Sequence, residues 1–171
     1  MWDQIRGKFV HNPSQQKVVK KMISIGLNVE MDIDRKLRIY CDGIEIKPNS
    51  IAEAIGVDRR VVVETLRKIA EDSGLLEFFR SLRPVCNLGM ASSKVGMGVI
   101  EILPDSASRS GIIAGVADII AKERISIRQV IGDDPDLVEN PKAIIVTDVP
   151  VPSGLLSKIK AVPGVKAVVL L

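Results

Sequence analysis

Apolar residues recur at helical spacing along the first half of the chain. In "SQQKVVKKMISIGL", Val18, Met22 and Ile25 share one face, and Ser14 is expected as the cap behind Pro13. "RKLRIYCDGIEI" then alternates and carries Asp42-Gly43, a dipeptide suited to the tight turn of a hairpin. Asn49 or Ser50 is expected to cap a short helix over 51–55 that Gly56 stops, and Asp58 a longer one from Arg59 to about Asp72. "LLEFFRSLR" predicts a further short helix ending before Pro84. Helices with a small hairpin beside them predict a winged arrangement.

Residues 84–94, "PVCNLGMASSK", lose all periodicity and read as a linker between a domain over 1–83 and another over 95–171. The pattern then changes. "GVIEIL" reads as a strand, Gly111 to Ala121 as a helix, and "ISIRQVI" and "AIIVTDV" as two more strands. "SGLLSKIKAV" is expected as a helix capped at Ser153, Pro163-Gly164 turns the chain, and "VKAVVLL" makes a last strand. The order β-α-β-β-α-β is that of a ferredoxin-like sandwich, so the whole chain is expected to be α+β.

Composition narrows the functional classes. With 46% hydrophobic and 26% charged residues the chain has the balance of a globular protein. No run approaches the roughly 20 apolar residues of a membrane helix, and "MWDQIRGKFVHNPSQQ" is too polar for a signal peptide, so a cytoplasmic location without a membrane partner is expected. Cys41 and Cys86 form no C-x-x-C pair, which predicts neither a zinc site nor a disulfide. His11, the only histidine, lies near the N-terminus, and no Ser or Cys has an evident base, so neither catalysis nor a cofactor is expected. Asp133, Asp134, Asp136 and Glu139 in "GDDPDLVEN" depart from the EF-hand pattern and read as a solvated turn, not a metal site.

The formal charge of +3 lies wholly in residues 1–90, although residues 50–83 carry six charges of each sign. In "IAEAIGVDRRVVVETL", Ala52, Gly56 and Val62 have the spacing of two helices crossing at a tight corner: a small residue at the crossing, a glycine at the turn, a branched residue packing back. This resembles the helix-turn-helix of DNA-binding regulators, with Thr65 where an aliphatic residue is usual and Leu66 expected to compensate. On the second helix Val62, Val63, Leu66, Ile69 and Ala70 are expected inside. Arg59, Arg60, Glu64 and Arg67 are the candidate DNA contacts: guanidinium groups read guanine or hold phosphate, and a carboxylate accepts from cytosine. The plainer alternative is a solvated face of i, i+4 ion pairs.

Around Gly111 a dinucleotide loop is ruled out by placement, since Gly96 and Gly98 precede the strand; a phosphate-binding loop is ruled out because no glycine is followed by Lys and then Ser or Thr. Asp105 ends the first strand, Gly111 opens the helix, and Ile112, Val116, Ile119 and Ile120 face the sheet. Over residues 95–171 this is similar to an ACT domain, a small-molecule-binding module of amino-acid enzymes and regulators. Here "SASRS" separates Asp105 from Gly111, where family members commonly place Pro-Gly soon after the acidic residue, and Ser126 stands where asparagine is common. The resemblance implies a ligand where the first strand, first helix and second strand meet, between two copies paired edge to edge. Its expected contacts are Asp105, for an ammonium group, with Ser108, Arg109, Ser110, Gly111 and Ile112, while Ser126, Ile127 and Gln129 come from the neighbouring strand or the partner copy. A glycine admits a ligand to the backbone, and helix-start N–H groups attract a carboxylate.

Joined, the halves resemble archaeal regulators of amino-acid metabolism. The expected partners are an amino acid or related metabolite, DNA, and a second copy forming a homodimer or higher assembly. Two alternatives are an accessory subunit that grips a biosynthetic enzyme instead of DNA, and a sandwich serving dimerisation alone.

Overall fold

The computed structural model describes every residue except Met1, Ile33 and Arg35. It divides into two compact units, Met1–Val85 and Cys86–Leu171. Among the described residues the architecture is α+β, with helices and two antiparallel sheets of three and four strands. No described helix is long and apolar enough to cross a membrane.

The first unit holds α1 (Trp2–Gly7), α2 (Pro13–Ser24), β1 (Asn28–Met31), β2 (Leu37–Cys41), β3 (Ile44–Ile46), α3 (Pro48–Ile55), α4 (Arg59–Glu71) and α5 (Ser73–Ser81). The three strands pair in chain order, and Asp42 and Gly43, both at positive φ, make the expected turn. Two helices begin earlier than their expected caps. Pro13 and Pro48 occupy the first turns, so Ser14, Asn49 and Ser50 lie inside the helices. Proline's fixed φ suits that position, and its missing N–H is no loss there. Asp58 does cap α4, accepting from Arg60 N at 2.7 Å, and Asp72 caps α5 through Leu75 N at 3.1 Å.

Gly56 ends α3 in the left-handed region, at φ +67°, and turns the chain into α4. The buried face of α4 is Val62, Thr65, Leu66 and Ile69, whereas Val63 is 39% exposed. Thr65 therefore takes the interior place expected of Val63. Its hydroxyl donates to the Val61 carbonyl at 2.7 Å, so burying it leaves no orphaned polar group.

The second unit holds α6 (Gly89–Ser93), β4 (Gly98–Pro104), α7 (Ile112–Lys122), β5 (Ile127–Gly132), β6 (Ala143–Thr147), α8 (Gly154–Lys160) and β7 (Val165–Leu170). The strand order is β5-β6-β4-β7, with every neighbour antiparallel. Part of the expected linker is structured: α6 packs on β4 and β6, and a Cβ added to Gly89 would lie 3.1 Å from Ile144 Cγ2. A helix this short carries no periodicity to read. Ser153 precedes α8 but makes no side-chain cap bond.

Alternation along the sheet builds the core. Ile100 and Ile102 of β4 and Ile145 of β6 face Ile112, Val116 and Ile120 of α7 and Leu155 and Ile159 of α8. Burying each such side chain stabilises the fold by about 1.5–3 kcal/mol. Ile145, fully buried on a central strand, should cost about 2–5 kcal/mol when changed to Ala. Val130 on the edge strand β5 is 43% exposed, and Val130→Ala should fall within about 0.5 kcal/mol of the parent. Denaturant unfolding of the two variants checks this ranking, and equal losses would contradict it.

Candidate functional site

The chain leaves β4 through a register shift at Leu103/Pro104, and the Asp105 N–H donates to the Gly164 carbonyl at 2.9 Å. Gly111 then opens α7 at φ +89°, and the space its Cβ would fill is open. The first intrahelical bond runs from Gly115 N to Gly111 O at 2.9 Å, which leaves the N–H groups at the helix start without a partner inside the helix.

Beside this loop lies a cavity of about 110 Å³. Ile102 and Pro104 of β4, Ala107 and Arg109 of the loop, and Ile112 and Ile113 of α7 form one side. Gly132, Asp133, Lys142 and Ala143, from the facing ends of β5 and β6, form the other. The Arg109 guanidinium donates to Asp105 Oδ2 at 2.9 Å, and both side chains are 49% exposed. Arg109 lies over Gly164, where an added Cβ would sit 2.7 Å from Arg109 Cδ. Asp133 Oδ2 accepts from Lys142 N at 3.1 Å, and Asp133 N donates to Lys142 O at 2.9 Å, closing the β5–β6 connection. The Lys142 ammonium is paired with Glu101 at 2.5 Å.

Of the expected effector contacts, Arg109 and Ile112 line this cavity. Asp105 lines a second hollow, of about 280 Å³, beyond the loop with Glu139, Asn140 and Lys166, and reaches the first only through Arg109. Ser108 and Ser110 are exposed on the loop. Ser126, Ile127 and Gln129 are not brought to the loop within one chain. β5 pairs Ile127 with Thr147 and Gly132 with Ala143, so its start lies about 17 Å from its cavity end. Ser126 bonds Asp148 there, Ile127 packs on the core, and the Gln129 amide donates to Cys86 O at 2.7 Å and accepts from Leu88 N at 2.9 Å.

Sequence reasoning missed Ala107, Ile113, Asp133 and Lys142. Asp133 was legible in part, because it directly follows β5 much as Asp105 directly follows β4. The acidic run after it does make a turn, in which Asp134 Oδ1 accepts from Asp136 N at 2.8 Å. Among the described residues no three His, Cys, Asp or Glu side chains gather around a metal position.

On the exposed face of α4 the charges are already matched. Arg60 grips both oxygens of Asp58 at 3.0 and 3.1 Å, and Arg67 lies between Glu64 and Glu71, each at 2.8 Å. The side-chain bond from Arg60, followed by the bond from its backbone, holds the Asp58 carboxyl below the usual aspartate range. Arg59 is exposed and makes no side-chain bond among the described residues, and Lys17 and Lys20 lie exposed on α2. A groove of about 380 Å³ separates residues 11–15 from Arg60, Val61 and Glu64, and Gln15 Oε1 is buried beside it without a partner.

A scan against protein-family models finds no match to this chain, and a search of curated proteins finds none. Among solved structures the chain is similar to one described as the crystal structure of PH0061, at 13% identity and a TM-score of 0.25, covering 94% of this chain and 90% of that one. So low a score carries no argument.

The Gln129 clasp on Cys86 and Leu88 gives one test. Gln129→Ala should speed amide hydrogen exchange over residues 86–93 while leaving β4 and β6 protected; unchanged exchange would contradict the clasp. The Asp58–Arg60 pair gives another. Its contribution is present above the unfolded carboxyl pKa and lost as pH falls through the depressed folded value. The Asp58 carboxyl shift, followed by NMR, should therefore have its midpoint below about 3.9. A midpoint at or above that value would contradict the pairing.

Proposed function

We propose that this chain is a metabolite-responsive DNA-binding regulator, with a helix-turn-helix in its first unit and an ACT-like, ferredoxin-like effector domain in its second. The observation that carries the reading is the cavity beside the β4–α7 loop. There Arg109, paired with Asp105 at the rim, stands beside an apolar floor of Ile102, Ile112 and Ala143. That chemistry suits a small zwitterion, and an amino acid is the proposed effector. The sheet order supports the ferredoxin-like reading, and the edges of β5 and β7, each with one neighbour, leave backbone groups for pairing with a second copy.

For the first unit, the turn at Gly56 and the capped, solvent-facing α4 support a recognition helix. Because Arg60 and Arg67 are internally paired, Arg59 and the α2 lysines are the cations most readily given to phosphate. A ligand changes DNA affinity only so far as it binds one dimer geometry better than another. The same neutral face, with Val63 exposed beside the paired arginines, favours a second reading in which α4 docks on an enzyme.

Fluorescence anisotropy with the chain's own upstream DNA, over a salt series with and without amino acids, separates the two. The regulator reading expects log K to fall with log salt at about −0.9 per phosphate neutralised, and Arg59→Gln to reduce that slope by roughly one. No DNA affinity at low salt, with or without amino acids, would overturn it in favour of the accessory subunit.

A further inference from the structure

We propose that a second copy of this chain packs on the sheet face turned away from α7 and α8, with Glu101 of each copy set against Lys142 of the other. This goes beyond the regulator reading and depends on neither an effector nor DNA. The strand registers define the face. Ile100 and Ile102 of β4 point into the core, so Val99, Glu101 and Leu103 point the other way. Register partners share a face, which sets Ile144 and Val169 on either side of Glu101, Ile131 beyond Ile144, and Ala167 beside Leu103. One end of this face is already covered. There α6 packs on β4 and β6, and Val99 and Val146 are at most 1% exposed. Beyond α6 the face stays apolar but open: Leu103, Ile131, Ile144 and Ala167 are only partly buried, and Val169 is 41% exposed.

A sheet buries its apolar faces against another layer, and here the charges say which layer. Glu101 stands in the middle of the open area, its side chain only 16% exposed, with the Lys142 ammonium at 2.5 Å. The lysine is 41% exposed and has further N–H groups to donate. Asp133, on the same face, is held by the Lys142 backbone N–H at 3.1 Å. An acid and a base side by side make the area complementary to itself. A two-fold axis lying between two such sheets, and passing midway between Glu101 and Lys142, brings each Glu101 opposite the partner's Lys142, as an isologous interface requires. Sheets stacked face to face lie about 10 Å apart, a gap that a glutamate and a lysine reaching toward each other close. The apolar residues around the charges supply the attraction. The alternating charges fix the register and disfavour a partner surface of a single sign.

Sedimentation equilibrium and native mass spectrometry of the full chain test this. The parent should be a dimer at concentrations on the order of 10–100 μM, where modest interfaces associate. Glu101→Lys and Lys142→Glu should each weaken association about tenfold or more, because each gathers like charges at the centre. Mixed in equal amounts, the two variants should pair with each other, since one presents two lysines and the other two glutamates. A charge pair acting only within its own chain would be broken in both variants and would not recover on mixing. Val169→Asp, at an exposed position on the same face, should also leave monomers. Circular dichroism reports whether each variant folds, and Val169→Asp decides alone should a charge variant fail to fold. A parent that stays monomeric at those concentrations would give the face to a different partner and overturn the proposal. So would a dimer indifferent to Glu101→Lys and Val169→Asp, which would place the contact elsewhere, or folded charge variants that do not pair on mixing. None of these outcomes depends on whether amino acids or DNA bind.

Discussion

The turn from β4 into α7 governs the upper end of the second unit. To leave a central strand and lay a helix back across the same sheet, the chain must swing through a loop and enter α7 from a left-handed residue. Gly111, at φ +89°, supplies that entry. The consequence is a loop that stands off the sheet instead of packing into it. Beneath it the ends of β5 and β6 face Ile112 and Ile113 across a small hollow. The same swing carries Arg109 over Gly164, where no Cβ intervenes, and sets it beside Asp105.

Energetics separates the parts that hold the unit together from those available for binding. The isoleucines of β4, β6 and α7 are buried outright, and their contribution of about 1.5–3 kcal/mol each makes the sandwich stable. The charges at the rim contribute little to that stability, because they are half exposed and screened. A weak ion pair over an apolar hollow is a suitable resting state for a binding site, since exchanging one partner for a ligand costs little. The proposed regulator uses this contrast, a rigid floor beneath a rearrangeable rim.

Much of the fold was legible because it is written in period. The i, i+4 stripe Ile112, Val116, Ile120 and the alternation of β4 announce their elements directly. What escaped was set by backbone chemistry or by tertiary packing. Pro13 and Pro48 start helices ahead of the residues that looked like caps, and α6 is too short to show a face. The interior place taken by Thr65 depends on a hydroxyl bond within its own helix, which no hydropathy pattern reports. The site was legible in its loop half only. Arg109 and Ile112 follow from their position before and after Gly111, whereas Asp133 and Lys142 enter through sheet pairing. Ser126 and Gln129 followed from the resemblance, and strand direction carries both away from the loop within one chain.

A crystal structure of the chain grown with the amino acid that most raises its melting temperature tests the central claim most directly. The account predicts electron density for a single small molecule beside Arg109, over Ile102, Ile112 and Ala143, with the Arg109–Asp105 contact exchanged for a ligand carboxylate. A hollow filled in every copy by the protein's own side chains, with the amino acid bound elsewhere or nowhere, would contradict it.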